Sequence, residues 1–151
     1  MHSFCQSQII NYDAELIYRI IMDVESYPEF LPWCSSATII SKDGDNLVAD
    51  LNVSFRGIAK SYRSQVSSRK LDDGYEVIAF SNTGIFKKLE NIWRIKSLHN
   101  AAKVEFSIDF EFKSPILNTV IGMFFAAAAK KMIVAFNARA EELSDEASVI
   151  L

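Results

Sequence analysis

The sequence predicts an α+β domain in which a curved antiparallel sheet of six to seven strands wraps a long apolar C-terminal helix. Three observations carry that expectation. Between residues 35 and 112, apolar and polar side chains alternate with a period of two, the pattern of half-buried strands. The breaks in that alternation hold short turns and no helix, so each strand returns antiparallel to the one before. After Ser114 the period changes, and a largely apolar helical stretch follows.

Residues 3–10 read as the first strand. Asp13 stands where its carboxylate accepts from the free amides of a first helical turn. Residues 14–22 follow, with Leu16, Ile17, Ile20 and Ile21 on one stripe. Pro28 and Pro32 stop any long helix, which leaves one or two helical turns over 25–30 and an extended exit through Leu31, Pro32 and Trp33. Two short helices thus come after the first strand.

In the meander, Asp43-Gly44-Asp45-Asn46, Arg56-Gly57, Asp72-Asp73-Gly74 and His99-Asn100 are turns, and Asn82-Thr83-Gly84 opens a loop ending near Lys87. Leu47, Ala49, Leu51, Val53 and Phe55 share a face of one strand; Leu89, Asn91, Trp93 and Ile95 share a face of another. In the last strand Val104, Phe106, Ile108, Phe110 and Phe112 alternate with charged or polar residues, giving one apolar face and one wet one. Ser114 caps the next helix, and Pro115 suits its first position, where a missing amide costs nothing. This helix is expected to run unbroken to about Leu143. It is apolar nearly all round over 116–129, apart from Asn118 and Thr119, and so calls for cover on all sides. One domain over residues 1–143 and a frayed tail over 144–151 complete the expectation.

The chain has 151 residues, half of them apolar and 23% charged, which suits a single domain with a real core. A net charge of -3 argues against a broad nucleic-acid footprint, and no DNA partner is expected. The N-terminal stretch lacks the pattern of a secretory signal. Lys130 and Lys131 cut the apolar part of the last helix short of the about 18 residues a membrane span needs. The expectation is a soluble, cytoplasmic protein. Cys5 and Cys34 carry no metal or redox spacing and read as free thiols. No metal and no catalytic cofactor are expected, since zinc, phosphate-loop and dinucleotide motifs are all missing from the sequence.

A strand, two small helices, a meander and a closing helix make a helix-grip arrangement. One helix does not fill a strongly curved sheet along its whole length, so space is expected between them. The candidate lining is Phe55, Trp93, Phe106, Phe110 and Phe112 from the sheet and Phe124 and Phe125 from the helix. Tyr27, Phe30 and Trp33 stand near one mouth. An apolar pocket with few polar anchors holds hydrophobic ligands, and the run Ala126-Ala127-Ala128-Ala129 leaves volume that larger side chains would fill. The same residues also suit a solid core with close helix–sheet approach, and periodicity does not choose between the two.

Catalysis finds little support. His2 sits at a flexible start, His99 in a turn, and Cys34 has no sequence-proximal base. Asp109 and Glu111 face water, so no catalytic residue is expected. Glu90 and Arg94 suit either a pair across the sheet or contact with a ligand head group. Arg56, Lys60, Arg63, Arg69, Lys70, Lys87 and Lys88 lie on the middle strands and their turns, and Lys130, Lys131 and Arg139 on the helix. They suit a patch for ribosomal RNA or anionic lipid, and equally a solvated face paired with the 19 acidic residues.

The run Asp23-Val24-Glu25-Ser26-Tyr27-Pro28-Glu29-Phe30-Leu31-Pro32-Trp33-Cys34 resembles the signature of the coenzyme Q-binding and ribosome-association-toxin family, a branch of the START-like, polyketide-cyclase-like superfamily. Phe86-Lys87-Lys88-Leu89-Glu90-Asn91-Ile92-Trp93 and Phe110-Glu111-Phe112-Lys113-Ser114-Pro115-Ile116-Leu117 extend the resemblance, which spans residues 3–143. It implies a START-like fold and ubiquinone bound in the central cavity, as in a lipid carrier that supports respiration at the periphery of the inner membrane. It also implies, through bacterial relatives described as blocking association of ribosomal subunits, a toxin-like partner of a ribosomal subunit. Superfamily analogy adds a polyketide cyclase or aromatase as a weaker alternative. The acidic end Glu141-Glu142 departs from the basic character of relatives at that position and weakens an RNA contact through this helix. The reading is a non-enzymatic quinone carrier, with a ribosome-directed inhibitor as its alternative.

Overall fold

Each period-two run of the sequence is a strand. The computed structural model describes the backbone of residues 2–55 and 57–150 and the side chains of residues 2–54 and 57–144. In chain order the elements are β1 (His2–Ile10), α1 (Ala14–Met22), a 3-10 helix (Val24–Glu29), β2 (Cys34–Asp43), β3 (Asn46–Phe55), β4 (Ile58–Leu71), β5 (Gly74–Ser81), β6 (Phe86–Leu98), β7 (Ala101–Phe112), α2 (Pro115–Gly122) and α3 (Phe125–Ile150). The seven strands form one antiparallel sheet in the order β1-β7-β6-β5-β4-β3-β2, so the first strand closes against the last. Register shifts interrupt β2–β3 between Cys34 and Ser36 and between Ile39 and Ser41, and β6–β7 between Phe86 and Lys88. Such bulges bend and twist the strands that carry them.

The inward positions are those the alternation marks. Ala49, Leu51, Val77, Trp93, Ile95, Val104 and Phe106 are buried and pack with Ile17, Ile20 and Ile21 of α1 and Ile133, Phe136 and Ala140 of α3. A second cluster, Phe86, Leu89, Phe110 and Phe112, lies toward α2. Asp13 precedes α1 in extended conformation but makes no side-chain cap; the first turn is held by the Ile17 amide donating to the Asp13 carbonyl instead. The Asn82-Thr83-Gly84 loop is bound to β4. The Arg63 amide donates to Thr83 Oγ1 at 2.7 Å, and a Cβ on Gly84 (φ +57°) would lie 2.0 Å from the Ser61 carbonyl oxygen.

The last helix departs from expectation in three ways. It is two helices, α2 and α3, bent by 68° at Gly122. Glycine is the weakest ordinary helix former, about 1 kcal/mol below Ala. The imidazole of His2 also presses on the break, 2.6 Å from where a Gly122 Cβ would stand. His2 is no flexible start: it pairs with Phe110 in the sheet, and its Nε2 donates to the Asn118 carbonyl at 2.9 Å.

Nor is the apolar stretch covered all round. Ile116 and Met123 are 75% and 77% exposed, because the sheet reaches only one side of α2. Finally, α3 continues as helical backbone to Ile150, past the end expected near Leu143; Leu151 lies outside the described residues. So does Arg56 of the expected turn, and the side chain of Phe55 is likewise outside them. Among the described residues no single helix is long and apolar enough to cross a membrane; the bent α2–α3 pair reaches that composition only as a pair.

Candidate ligand cavity

The sheet and the terminal helices do not meet completely. Under α2 and the start of α3 lies a cavity of about 210 Å³, walled by β4, β6 and β7. A second, of about 130 Å³, lies beside α1 and the 3-10 helix. Trp33, Val53, Tyr62, Leu89, Ile108 and Met132 line both, so the α2 chamber and the α1 chamber adjoin.

Local sequence explains how the α2 chamber stays open. Ser114 Oγ accepts from the Leu117 amide and Pro115 starts the helix, which aims α2 across the end of β7. Asn118, polar in an apolar run, clamps that junction: its Oδ1 accepts from the Phe112 amide at 2.8 Å and its Nδ2 donates to the Phe112 carbonyl at 3.0 Å. The bend at Gly122 then swings Phe124 and Phe125 inward. Ala128 and Ala129 line the chamber and fill little of it, whereas Ala126 and Ala127 face solvent.

The structure sorts the ten residues expected at the site. Trp33, Phe110, Phe112, Phe124 and Phe125 line the α2 chamber. Tyr27, Trp93 and again Trp33 line the α1 chamber. Phe106 lines neither chamber: its ring fills the space between Phe4 and Trp93, with centroids 6.3 and 4.7 Å away. Phe30 lines neither, because it packs edge-on against Phe136 beneath the Arg139 guanidinium. Tyr27, expected near a mouth, is held on the α1 chamber by its own contacts. Its hydroxyl donates to the Ile21 carbonyl and its ring packs edge-on against Phe30 and Phe136. Phe55 lies outside the described side chains.

Sequence reasoning missed Tyr62, Ser64, Phe86, Leu89, Ile108 and Met132. A usable signal was present for two of them. Tyr62 and Ser64 share the parity of Val66, which is buried in β4. The polar character of Lys60, Tyr62 and Ser64 disguises that inward face as a wet one.

The polar groups on the lining are few and mostly spent. Asn91 donates to the Ser107 carbonyl and accepts from Trp93 Nε1, both at 2.9 Å. The Tyr27 hydroxyl is used by Ile21, and the Cys34 thiol reaches the Ser36 carbonyl. The hydroxyls of Tyr62 and Ser64 meet no hydrogen-bond partner among the described residues, and both residues line the α1 chamber. Burial, helped by Cys34 nearby, pushes the Tyr62 phenol far above its ordinary range, so it stays a neutral donor. Burial does the same to Tyr27, and it raises the Cys34 thiol against the opposing bond to Ser36. A protonated thiol is a poor nucleophile. Among the described lining residues there is no carboxylate and no imidazole.

Outside the cavity, Glu76 holds both Arg69 and Arg94, at 2.9 and 3.0 Å, so the partner of Arg94 is Glu76 and not Glu90. Arg63 pairs with Asp50, and Arg139 with Glu29 and Glu142.

A family model described as polyketide cyclase / dehydrase and lipid transport matches residues 10–137, most of the chain. The chain belongs to that family. Within it, the chain is 33% identical over 144 residues to the ribosome association toxin RatA of Rickettsia prowazekii, covering 95% of this chain and 99% of the relative. It is 29% identical over 142 residues to the mitochondrial coenzyme Q-binding protein COQ10 homolog B of Xenopus laevis, covering 91% of this chain and 57% of that protein. A START superfamily protein from Mycobacterium smegmatis has the same fold, with a TM-score of 0.80 at 20% identity over 95% of this chain and 99% of the other. The helix-grip, START-like architecture expected from the sequence is thus the fold of this family member.

Proposed function

We propose that this family member binds an isoprenoid quinone of the ubiquinone type in its two adjoining chambers and carries it without converting it. The observation that carries the reading is the cavity itself: aromatic and aliphatic walls, very few free polar groups, and space left between the sheet and a bent helix pair. Each methylene of an isoprenoid tail moved there from water contributes about 0.8 kcal/mol. The coenzyme Q-binding relative supports the choice of ligand. The lack of a carboxylate or imidazole on the described lining supports binding rather than cyclase chemistry, which needs a placed acid or base.

A carrier loads and unloads at a membrane, and the exposed face of α2 suits peripheral contact with an anionic one. Ile116, Val120 and Met123 face solvent there, and Lys113, Lys130 and Lys131 nearby in the chain have no carboxylate partner among the described residues. The protein is then a cytoplasmic one that visits the inner membrane.

The test is to purify the protein from a quinone-producing host, extract it with organic solvent and identify bound lipid by mass spectrometry. Quinone is expected in the extract. A quinone-free extract, together with no binding of added quinone at micromolar concentration, sinks the carrier reading.

A second reading has its own support. The relatives named as ribosome association toxins share nearly the full length of this chain, and Lys60, Lys70, Lys87 and Lys88 have no ion-pair partner among the described residues. In this reading the sheet's lysines meet ribosomal RNA. Sucrose-gradient profiles decide it: added protein should lower the fraction of joined subunits, and an unchanged profile removes the idea.

A further inference from the structure

We infer that the α1 chamber is the head-group end of the site, where the Tyr62 and Ser64 hydroxyls donate hydrogen bonds to an uncharged ligand head that carries carbonyl-type oxygens. The inference rests on the quinone-carrier reading and adds which end of the ligand lies where, and what holds it.

Among the described residues no fully buried side-chain nitrogen or oxygen lacks a hydrogen-bond partner, so the unpaired hydroxyls of Tyr62 and Ser64 open onto the chamber itself. A hydroxyl on an apolar chamber wall is costly to leave without a hydrogen bond once a ligand displaces water from it. Ser64 is only 5% exposed and sits opposite Ala49, which offers no side-chain partner. Tyr62 lies two residues away on the same face of β4, its ring edge-on to Phe86 at 4.8 Å and its hydroxyl without a partner among the described residues. Apart from the Trp33 indole N–H, the other side-chain polar groups of the α1 chamber, those of Tyr27, Cys34, Asn91 and Trp93, are already bonded within the protein. The two spare groups therefore ask for an acceptor that the ligand brings.

The chemistry of the walls narrows what that acceptor is. An acidic head would meet no cation, since the one lysine on either lining, Lys60, belongs to the α2 chamber alone. A cationic head would meet no carboxylate. A plain hydrocarbon end would leave both hydroxyls unbonded in an apolar enclosure. A neutral head with carbonyl or ether oxygens satisfies them. The α1 chamber, about 130 Å³, is the smaller of the two. The larger, more apolar α2 chamber is left for the tail.

The test titrates the full chain with a ubiquinone analogue carrying one isoprene unit, followed by quenching of Trp33 and Trp93, which both line the α1 chamber. Tyr62→Phe and Ser64→Ala should each weaken binding roughly three- to tenfold, the loss expected for one neutral hydrogen bond. An isoprenoid hydrocarbon without oxygens should bind both variants as it binds the wild type. Infrared difference spectra of carbonyl-labelled quinone should show a lowered carbonyl frequency in the wild type that rises in Tyr62→Phe. Unchanged affinity in both variants, or a wild-type carbonyl at its unbonded frequency, overturns the assignment and leaves the carrier reading standing. Failure of the wild type to bind the quinone overturns both. Should Tyr62→Phe fail to fold, Ser64→Ala and the wild-type carbonyl frequency decide alone.

Discussion

The two ends of the concave sheet face the same terminal helix system, yet one is the more solid, around a chamber of about 130 Å³, and the other the more hollow, around one of about 210 Å³. At the α1 end, Ile95, Val77 and Ala140 are essentially sealed, and Phe136 meets Trp93, Tyr27 and Phe30 ring to ring. At the α2 end, three buried rings and one leucine of the sheet face Leu117, Ile121 and Phe125 across open space, and α2 itself has no fully buried residue. The difference lies in what the helix offers. Along α3 toward the solid end come Ile133 and Phe136; toward the hollow end come Ala128 and Ala129, followed by a bend that carries α2 away from the sheet axis. A cavity between two apolar surfaces therefore needs no polar lining to persist. Small side chains and a break in the helix suffice.

The contrast can be broken from either end. Phe136→Ala at the solid end should cost about 3–5 kcal/mol of stability, the usual loss for a buried ring. Phe125→Ala at the hollow end should cost about 1–2 kcal/mol, because much of the space beside that ring is already empty. Chemical denaturation of the two variants checks the pair, and equal losses would contradict it.

Filling sharpens the same point. Ala140, fully buried, should not accept a larger side chain: Ala140→Phe should lose about 1–3 kcal/mol through overpacking. Ala128→Phe should keep wild-type stability while quinone binding falls at least about tenfold, read by thermal unfolding and by tryptophan quenching.

A smaller effect concerns how α2 is held. Asn118→Ala removes both bonds to the Phe112 backbone and should cost about 1–2 kcal/mol. Faster amide exchange should be confined to α2 and the end of β7. Loss of protection at the α1 end instead would show that the two ends are not independent.

The smallest effect is electrostatic. The hydrogen bond from Arg94, and then that from Arg69, hold the Glu76 carboxyl below its ordinary range against the opposing effect of burial. A carboxyl lowered by folding stabilises the protein above its unfolded value of 4.5, and that contribution fades as pH falls through the lower folded value. Both guanidinium groups are more than half exposed, so the contribution is small. Glu76→Gln should flatten this part of an acid unfolding curve and leave neutral-pH ligand binding untouched, since Glu76 lines neither chamber.

Much of the fold was legible because strand alternation and turn chemistry are local. Val104 to Phe112 announces one buried face whatever lies opposite, and Asp72-Asp73-Gly74 turns the chain regardless of context. The site was legible only in part. Trp33, Phe110, Phe112, Phe124 and Phe125 were readable as inward rings, but a ring that lines space and a ring that fills it have the same periodicity. That is why Phe106 and Phe30 looked like Phe110. Tyr62 and Ser64 were hidden for the opposite reason: polar residues on an inward face read as a wet face.

By itself, then, the sequence determined a sheet of six to seven strands, their antiparallel return, the inward side of most of them and the apolar helical close, because each depends on residues near one another in the chain. Only the tertiary structure decided that the helix breaks at Gly122 against His2, that one side of α2 stays bare, and that two chambers survive between the sheet and the helices. Those outcomes depend on volumes brought together from residues more than a hundred positions apart, and no local pattern records how well such volumes match.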